Sequence, residues 1–245
     1  MHQLLAFDLD GTLVQTEALK AQSYGWAAHQ LCPDLDPSAV EDAYGPLVGN
    51  SRETISRTLL NQFGLANAAL KRNRDAEPWR TYVGLRLERY RAMLADGELM
   101  RANTWPRTVA VLEEAREVAR HVALVTTSER WAADAILGAL GLAEAFDEIV
   151  TADDVERVKP DPAGYRLALA RLGVDAKDAL ALEDSPSGVR AAQAAGMHVL
   201  AIPTHYTRDP LAAMVREGEL EARSIVAPAA LAEAVRERSP CASAG

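Results

Sequence analysis

The chain has 245 residues, 49% of them hydrophobic and 25% charged, a globular composition whose length fits one large domain or two modest ones and suffices to bury a core without staples. A formal net charge of −9 with no basic cluster argues against nucleic acid or anionic lipid as a partner and favours a small ligand. Two cysteines without CxxC spacing, Cys32 and Cys241, speak against a disulfide framework or a zinc site, and the start MHQLLAFDLDG lacks the pattern of a secretory signal, so a reducing, cytoplasmic setting without membrane contact is expected.

In chain order, the apolar run Leu4 to Phe7 reads as a first buried strand. From 16 to 100 no strand is evident; helix-like stretches at Glu17 to Gln30, Arg52 to Phe63 and Trp79 to Leu94 are punctuated by Pro33, Pro37, Gly45, Pro46 and Gly49. This region reads as an inserted helical domain. Beyond it, Val111, Leu112, Ala115, Val118 and Ala119 form one helical stripe and Tyr165, Ala168, Leu169 and Leu172 another. Strands are predicted at Val122 to Val125, Glu148 to Val150, Ala179 to Leu182 and Val199 to Ile202, and the end SPCASAG, 239–245, is expected to be disordered. The alternation predicts an α/β chain: a Rossmann-like parallel sheet in a three-layer α/β/α core, 1–15 with 101–238, carrying the helical insertion 16–100.

The candidate chemistry falls at strand ends. Asp8 closes the first strand and Asp10 follows two residues later, which in extended backbone puts both carboxylates on one side; Asp-Gly between apolar stretches is equally a hairpin-turn signal. Thr126 closes VALVT, and Glu183 with Asp184 closes ALALED, where ligands of open α/β sheets bind. Thr126 and Asp184 also suit helix caps. Lys159 precedes Pro160 and belongs in an extended loop, either in a site or solvated. The five histidines show no metal-ligand spacing, and the tryptophans suit packing.

DLDGT, VTTS, Lys159 with Pro160, and LEDSPSGVRAA, in that order, resemble the four motifs of the haloacid dehalogenase superfamily. The resemblance implies Asp8 as a nucleophile that becomes an aspartyl phosphate and Asp10 as acid and base. It implies Lys159 and Thr126 as charge compensation, Thr127 and Ser128 as substrate contacts, and Mg2+ held by Asp8, the Asp10 carbonyl, Glu183 and Asp184. Asp10 and Asp184 favour phosphate chemistry over dehalogenation, whose enzymes lack both.

The insertion resembles the helical cap of the branch holding β-phosphoglucomutase and phosphoglycolate phosphatase. Within it GNSRE, with Gly49, Ser51 and Arg52, resembles a substrate-specificity loop whose arginine binds a second anionic group, although an exposed helix-start arginine fits the same residues. Lys20 stands where the mutases usually carry histidine, Thr12 where they often carry valine or alanine, and Glu129 with Arg130 where they carry lysine and asparagine. These departures favour a phosphatase of a small phosphorylated metabolite, monomeric or homodimeric. The alternatives are a phosphoglucomutase and a metabolite-binding protein without chemistry; a Schiff base on Lys20, as in phosphonoacetaldehyde hydrolases, would need a lysine that family carries elsewhere.

Overall fold

In the computed structural model, which describes residues 1–48 and 50–238, five parallel strands form one sheet in the order β3-β2-β1-β4-β5. They are β1 His2–Phe7, β2 Ala119–Val125, β3 Glu148–Val150, β4 Ala179–Glu183 and β5 His198–Ala201. Leu4, Leu5, Ala6 and Phe7 are fully buried, as are Leu180, Ala181 and Leu182. Covered on both faces, such strands carry continuous apolar runs in place of alternation, which is why they stand out in the sequence. Because β1 lies between β2 and β4, the strand order reverses at β1, and the carboxyl ends of these three strands border one crevice.

The expected single stripe from Val111 to Ala119 is two short helices, Pro106–Glu113 and Ala115–Val118. Ala119 already belongs to β2, where it pairs with His2, so sheet pairing overrides the helical period at that point. At the other edge β5 ends at Ala201, but Ile202 still donates its N–H to the Glu183 carbonyl at 2.7 Å.

By its contacts the chain divides into two compact units, Met1–Gln15 with the residues from Met100 onward, and Thr16–Leu99. The second is all helical among its described residues, with Thr16–Leu31, Pro37–Tyr44, Arg52–Gln62, Ala66–Arg72 and Pro78–Leu94 packed around Tyr24, Leu59 and Tyr82. Pro37, which looks like punctuation in the sequence, opens a helix: its missing N–H costs nothing at the first position, and the Asp36 side chain accepts from Ser38 N. Among the described residues no helix is long and apolar enough to cross a membrane. Gly49 and the tail 239–245 lie outside the described residues.

Candidate active site

Lys159 organises the crevice. Its side chain is 5% exposed, and Nζ donates at 2.6 Å to each of Asp8 Oδ1, Glu183 Oε1 and the Val125 carbonyl, using all three of its protons. This is a buried ammonium, and the solvated reading of Lys159 is set aside by its burial. The Tyr165 hydroxyl donates to the same Glu183 Oε1 at 2.6 Å, and the Tyr165 ring lies 5.1 Å from the ammonium. Burial raises the Asp8 carboxyl to about 7, with Lys159 pulling it down and Glu183 and Asp10 pushing it further up. Burial works against charge on Lys159, but Asp8 and Glu183 outweigh it and hold the ammonium above its ordinary value. Burial first, and Glu183 second, keep the Tyr165 phenol protonated.

Asp8 is placed by β1, its N–H donating to the Leu182 carbonyl of β4 at 3.0 Å. The residues after it make no hairpin, since both neighbours of β1 are parallel. They form a tight loop in which Gly11 N donates to the Val14 carbonyl at 2.7 Å and Val14 N to the Leu9 carbonyl at 3.1 Å. Asp10 therefore meets the residues after β2: Ser128 Oγ donates to Asp10 Oδ2 at 2.6 Å, and Thr126 Oγ1 approaches the same oxygen at 3.4 Å, a much weaker contact. Thr126 Oγ1 accepts from Ser128 N at 3.0 Å, which shapes this turn; it caps no helix, because the next one starts at Arg130. Thr127 is exposed.

Asp8, Glu183 and Asp184 are all buried, with carboxylate oxygens within 4.8 Å of one another. Two glycines make this crowding possible. Gly11 has φ +89°, and a Cβ there would collide with the Asp184 carboxylate; a Cβ on Gly188 would collide with that of Glu183. Glu183 Oε2 is buried without a hydrogen-bond partner, an acceptor that a cation would satisfy. Three hard carboxylate donors, an orphaned buried oxygen and two glycine cradles fit a magnesium-type ion. Asp184 is not the cap of the following helix: Ser185 is, accepting from Gly188 N at 3.1 Å.

Asp8, Asp10, Thr126, Ser128, Lys159, Glu183 and Asp184 thus belong to the sheet unit and are linked by these contacts. Lys20, Ser51 and Arg52 belong to the helical unit. There Lys20 Nζ pairs with Glu17 Oε1 at 2.7 Å, Ser51 Oγ accepts from Thr54 N at 3.1 Å as a helix cap, and Arg52 is the exposed first residue of that helix. Sequence reasoning passed over Gly188 and Tyr165. Gly188 stands inside a helical segment, where glycine is unfavourable without a packing reason, and that was its signal. Tyr165 reads only as part of an apolar stripe.

A family model described as haloacid dehalogenase-like hydrolase matches residues 2–196. A phosphoglycolate phosphatase of Rhodospirillum rubrum is 34% identical over 219 residues, covering 87% of this chain and 85% of that one. Among solved structures, CbbY from Rhodobacter sphaeroides, as a mutant in complex with xylulose-(1,5)bisphosphate, is similar with a TM-score of 0.63 and 29% identity, covering 85% of this chain and 89% of that one. A protein of Thermotoga maritima described as a β-phosphoglucomutase shares the fold with a TM-score of 0.73 and 24% identity, covering 96% of this chain and 99% of that one.

Proposed function

The chain belongs to the haloacid dehalogenase-like hydrolase family, and from that premise we propose that it is a magnesium-dependent phosphatase of a small phosphorylated metabolite, working through an aspartyl phosphate on Asp8. The observation that carries this reading is the unequal setting of the two aspartates. Asp8 is ion-paired to Lys159 at 2.6 Å, whereas Asp10 is held by the Ser128 hydroxyl at 2.6 Å. Different surroundings suit different roles.

An Asp8 carboxylate oxygen attacks phosphorus, the bond from phosphorus to the ester oxygen breaks, and the Asp10 carboxyl delivers its proton to the departing alkoxide. In the second step a water attacks the same phosphorus, Asp10 takes a proton from it, and the Asp8 carboxylate leaves as inorganic phosphate is released. Lys159 holds Asp8 in place and offsets negative charge as it builds on the phosphoryl oxygens. Glu183, fixed by Lys159 and Tyr165, keeps that ammonium in position. Asp8, Glu183, Asp184 and the Asp10 carbonyl would hold a magnesium ion, whose positive charge would reduce repulsion between carboxylate and phosphate.

Hydrolysis is favoured over mutase chemistry because the residues after Ser128 are otherwise engaged. Arg130 Nη2 donates at 2.8 Å to both the Ile149 carbonyl and Asp154, and Glu129 accepts from Trp131 Nε1 at 2.7 Å. The R. rubrum relative's name and the bisphosphate bound to CbbY support a substrate of the phosphoglycolate or sugar-phosphate type. The test is phosphate release from a panel of monoesters, in magnesium and in EDTA, by wild type and Asp8→Asn. Release should require magnesium and fall by roughly 10⁴-fold in the variant. Undiminished release by Asp8→Asn overturns the mechanism, and faster conversion of β-glucose 1-phosphate to glucose 6-phosphate than phosphate release overturns hydrolysis in favour of the mutase.

A further inference from the structure

Glu183 brings one unengaged oxygen to the acidic cluster, and the other is committed twice over. The residue is fully buried, and its Oε1 accepts from Lys159 Nζ and from the Tyr165 hydroxyl, each at 2.6 Å. A carboxylate oxygen has two lone pairs, so these two donors saturate Oε1. Oε2 is buried with no hydrogen-bond partner among the described residues. Asp8 is partly committed in the same way, because its Oδ1 accepts from Lys159 Nζ at 2.6 Å.

Tyr165 is fully buried on the Ala163–Leu172 helix, in the apolar core that also holds Leu4, Val125 and Val189. A phenol has one proton to donate, and here it goes to Oε1. From the next helix, Pro186–Ala194, the Gly188 backbone lies close against the same carboxylate and restricts its rotation. A carboxylate held like this binds a cation through its second oxygen alone. That suits magnesium, which takes about six ligands in near-ideal octahedral geometry. Calcium collects about 6–8 oxygens at longer distances and commonly draws both oxygens of one carboxylate.

We infer that Tyr165 is a positioning residue whose hydroxyl confines Glu183 to one-oxygen coordination, so that the centre formed by Asp8, Glu183 and Asp184 discriminates against calcium in favour of magnesium. The inference rests on the reading of those three carboxylates as a magnesium site. It gives a role to a residue that the sequence shows only as part of an apolar stripe. Without the hydroxyl, Oε1 regains a buried lone pair, and a larger cation recruits it together with Oε2. The ring face, 5.1 Å from the Lys159 ammonium, is not required for this.

The experiment follows thermal melting of EDTA-stripped protein against rising concentrations of magnesium alone and of calcium alone. It compares wild type, Tyr165→Phe, Tyr165→Leu and Leu231→Ala. The dependence of Tm on metal concentration gives an apparent Kd for each cation. Tyr165→Phe keeps the ring and its packing, whereas Tyr165→Leu removes both ring and hydroxyl. Leu231, fully buried on the Leu231–Glu237 helix, makes no contact described for the site, so its truncation destabilises the same unit without altering Glu183. The ratio of the calcium Kd to the magnesium Kd should fall about 10-fold in Tyr165→Phe, the lower end of what a hydrogen bond to a charged group contributes. It should fall as far in Tyr165→Leu and hold its wild-type value in Leu231→Ala. In magnesium, about 10-fold less calcium should then inhibit phosphate release by Tyr165→Phe. The inference is overturned if the ratio is unchanged in Tyr165→Phe, or if Tyr165→Leu alone alters it, which assigns the role to the ring. It is also overturned if Leu231→Ala alters the ratio equally, which makes the effect a general loosening. If neither cation shifts wild type, the magnesium site itself falls and the inference with it; a wild-type shift with an unchanged ratio in Tyr165→Phe overturns the inference and leaves the site standing.

Discussion

Lys159 in the sheet unit and Arg86, on the Pro78–Leu94 helix of the helical unit, both carry cationic side chains withdrawn from water, and the chain surrounds them differently. Lys159 has three acceptors at 2.6 Å, two of them carboxylates, while Arg86 Nε has none. In the sheet unit the Lys159 ammonium is compensated by the protein itself, so its position is set before any ligand arrives, as suits a site that must stabilise a transient charge. In the helical unit the Arg86 guanidinium instead lies against the ring faces of Tyr24 and Tyr90.

The strongest way to break this comparison is Lys159→Met. It removes the cation between Asp8 and Glu183, and losing one partner of a buried pair costs about 3–5 kcal/mol. Urea unfolding should show that loss, whereas Arg86→Met should show none; equal losses in the two variants would erase the distinction. Tyr165→Phe should cost less, about 1.5–3 kcal/mol, because Glu183 loses one charged hydrogen bond and keeps its contact with Lys159. The same unfolding measurement checks it, and an unchanged midpoint would mean that the tyrosine contributes only packing. Gly188→Ala sharpens the comparison at the metal end: its Cβ must displace the Glu183 carboxylate. Overpacking of this kind costs about 1–3 kcal/mol, and a higher magnesium requirement for phosphate release should accompany it.

Much of the sheet unit is legible in the chain because its strands are short and buried on both faces. Leu4 to Phe7 and Ala179 to Leu182 are apolar runs that end at acidic residues, so their position and their chemistry are read together. Legibility fails where distant residues decide an outcome. Val111 to Ala119 looks like one helix, but Ala119 is claimed by pairing with His2. Thr126 and Ser128 are alike in kind and two positions apart in sequence, and only the fold of the loop gives the short bond to Asp10 to Ser128. Glu183 and Asp184 look like an equivalent acidic pair, yet Glu183 Oε1 receives both Lys159 and Tyr165.

The sequence by itself determined the α/β class, the order of sheet and helical segments, and the family, because periodicity and short motifs are properties of neighbouring residues. Tertiary structure alone decided that Lys159 is buried against a carboxylate 151 positions away, that Gly188 makes room for Glu183, and that Arg86 Nε is buried without a hydrogen-bond partner among the described residues. Each of these depends on distance and exclusion of water between residues far apart in the chain, and the same lysine or arginine in solvent would have had neither partner nor penalty.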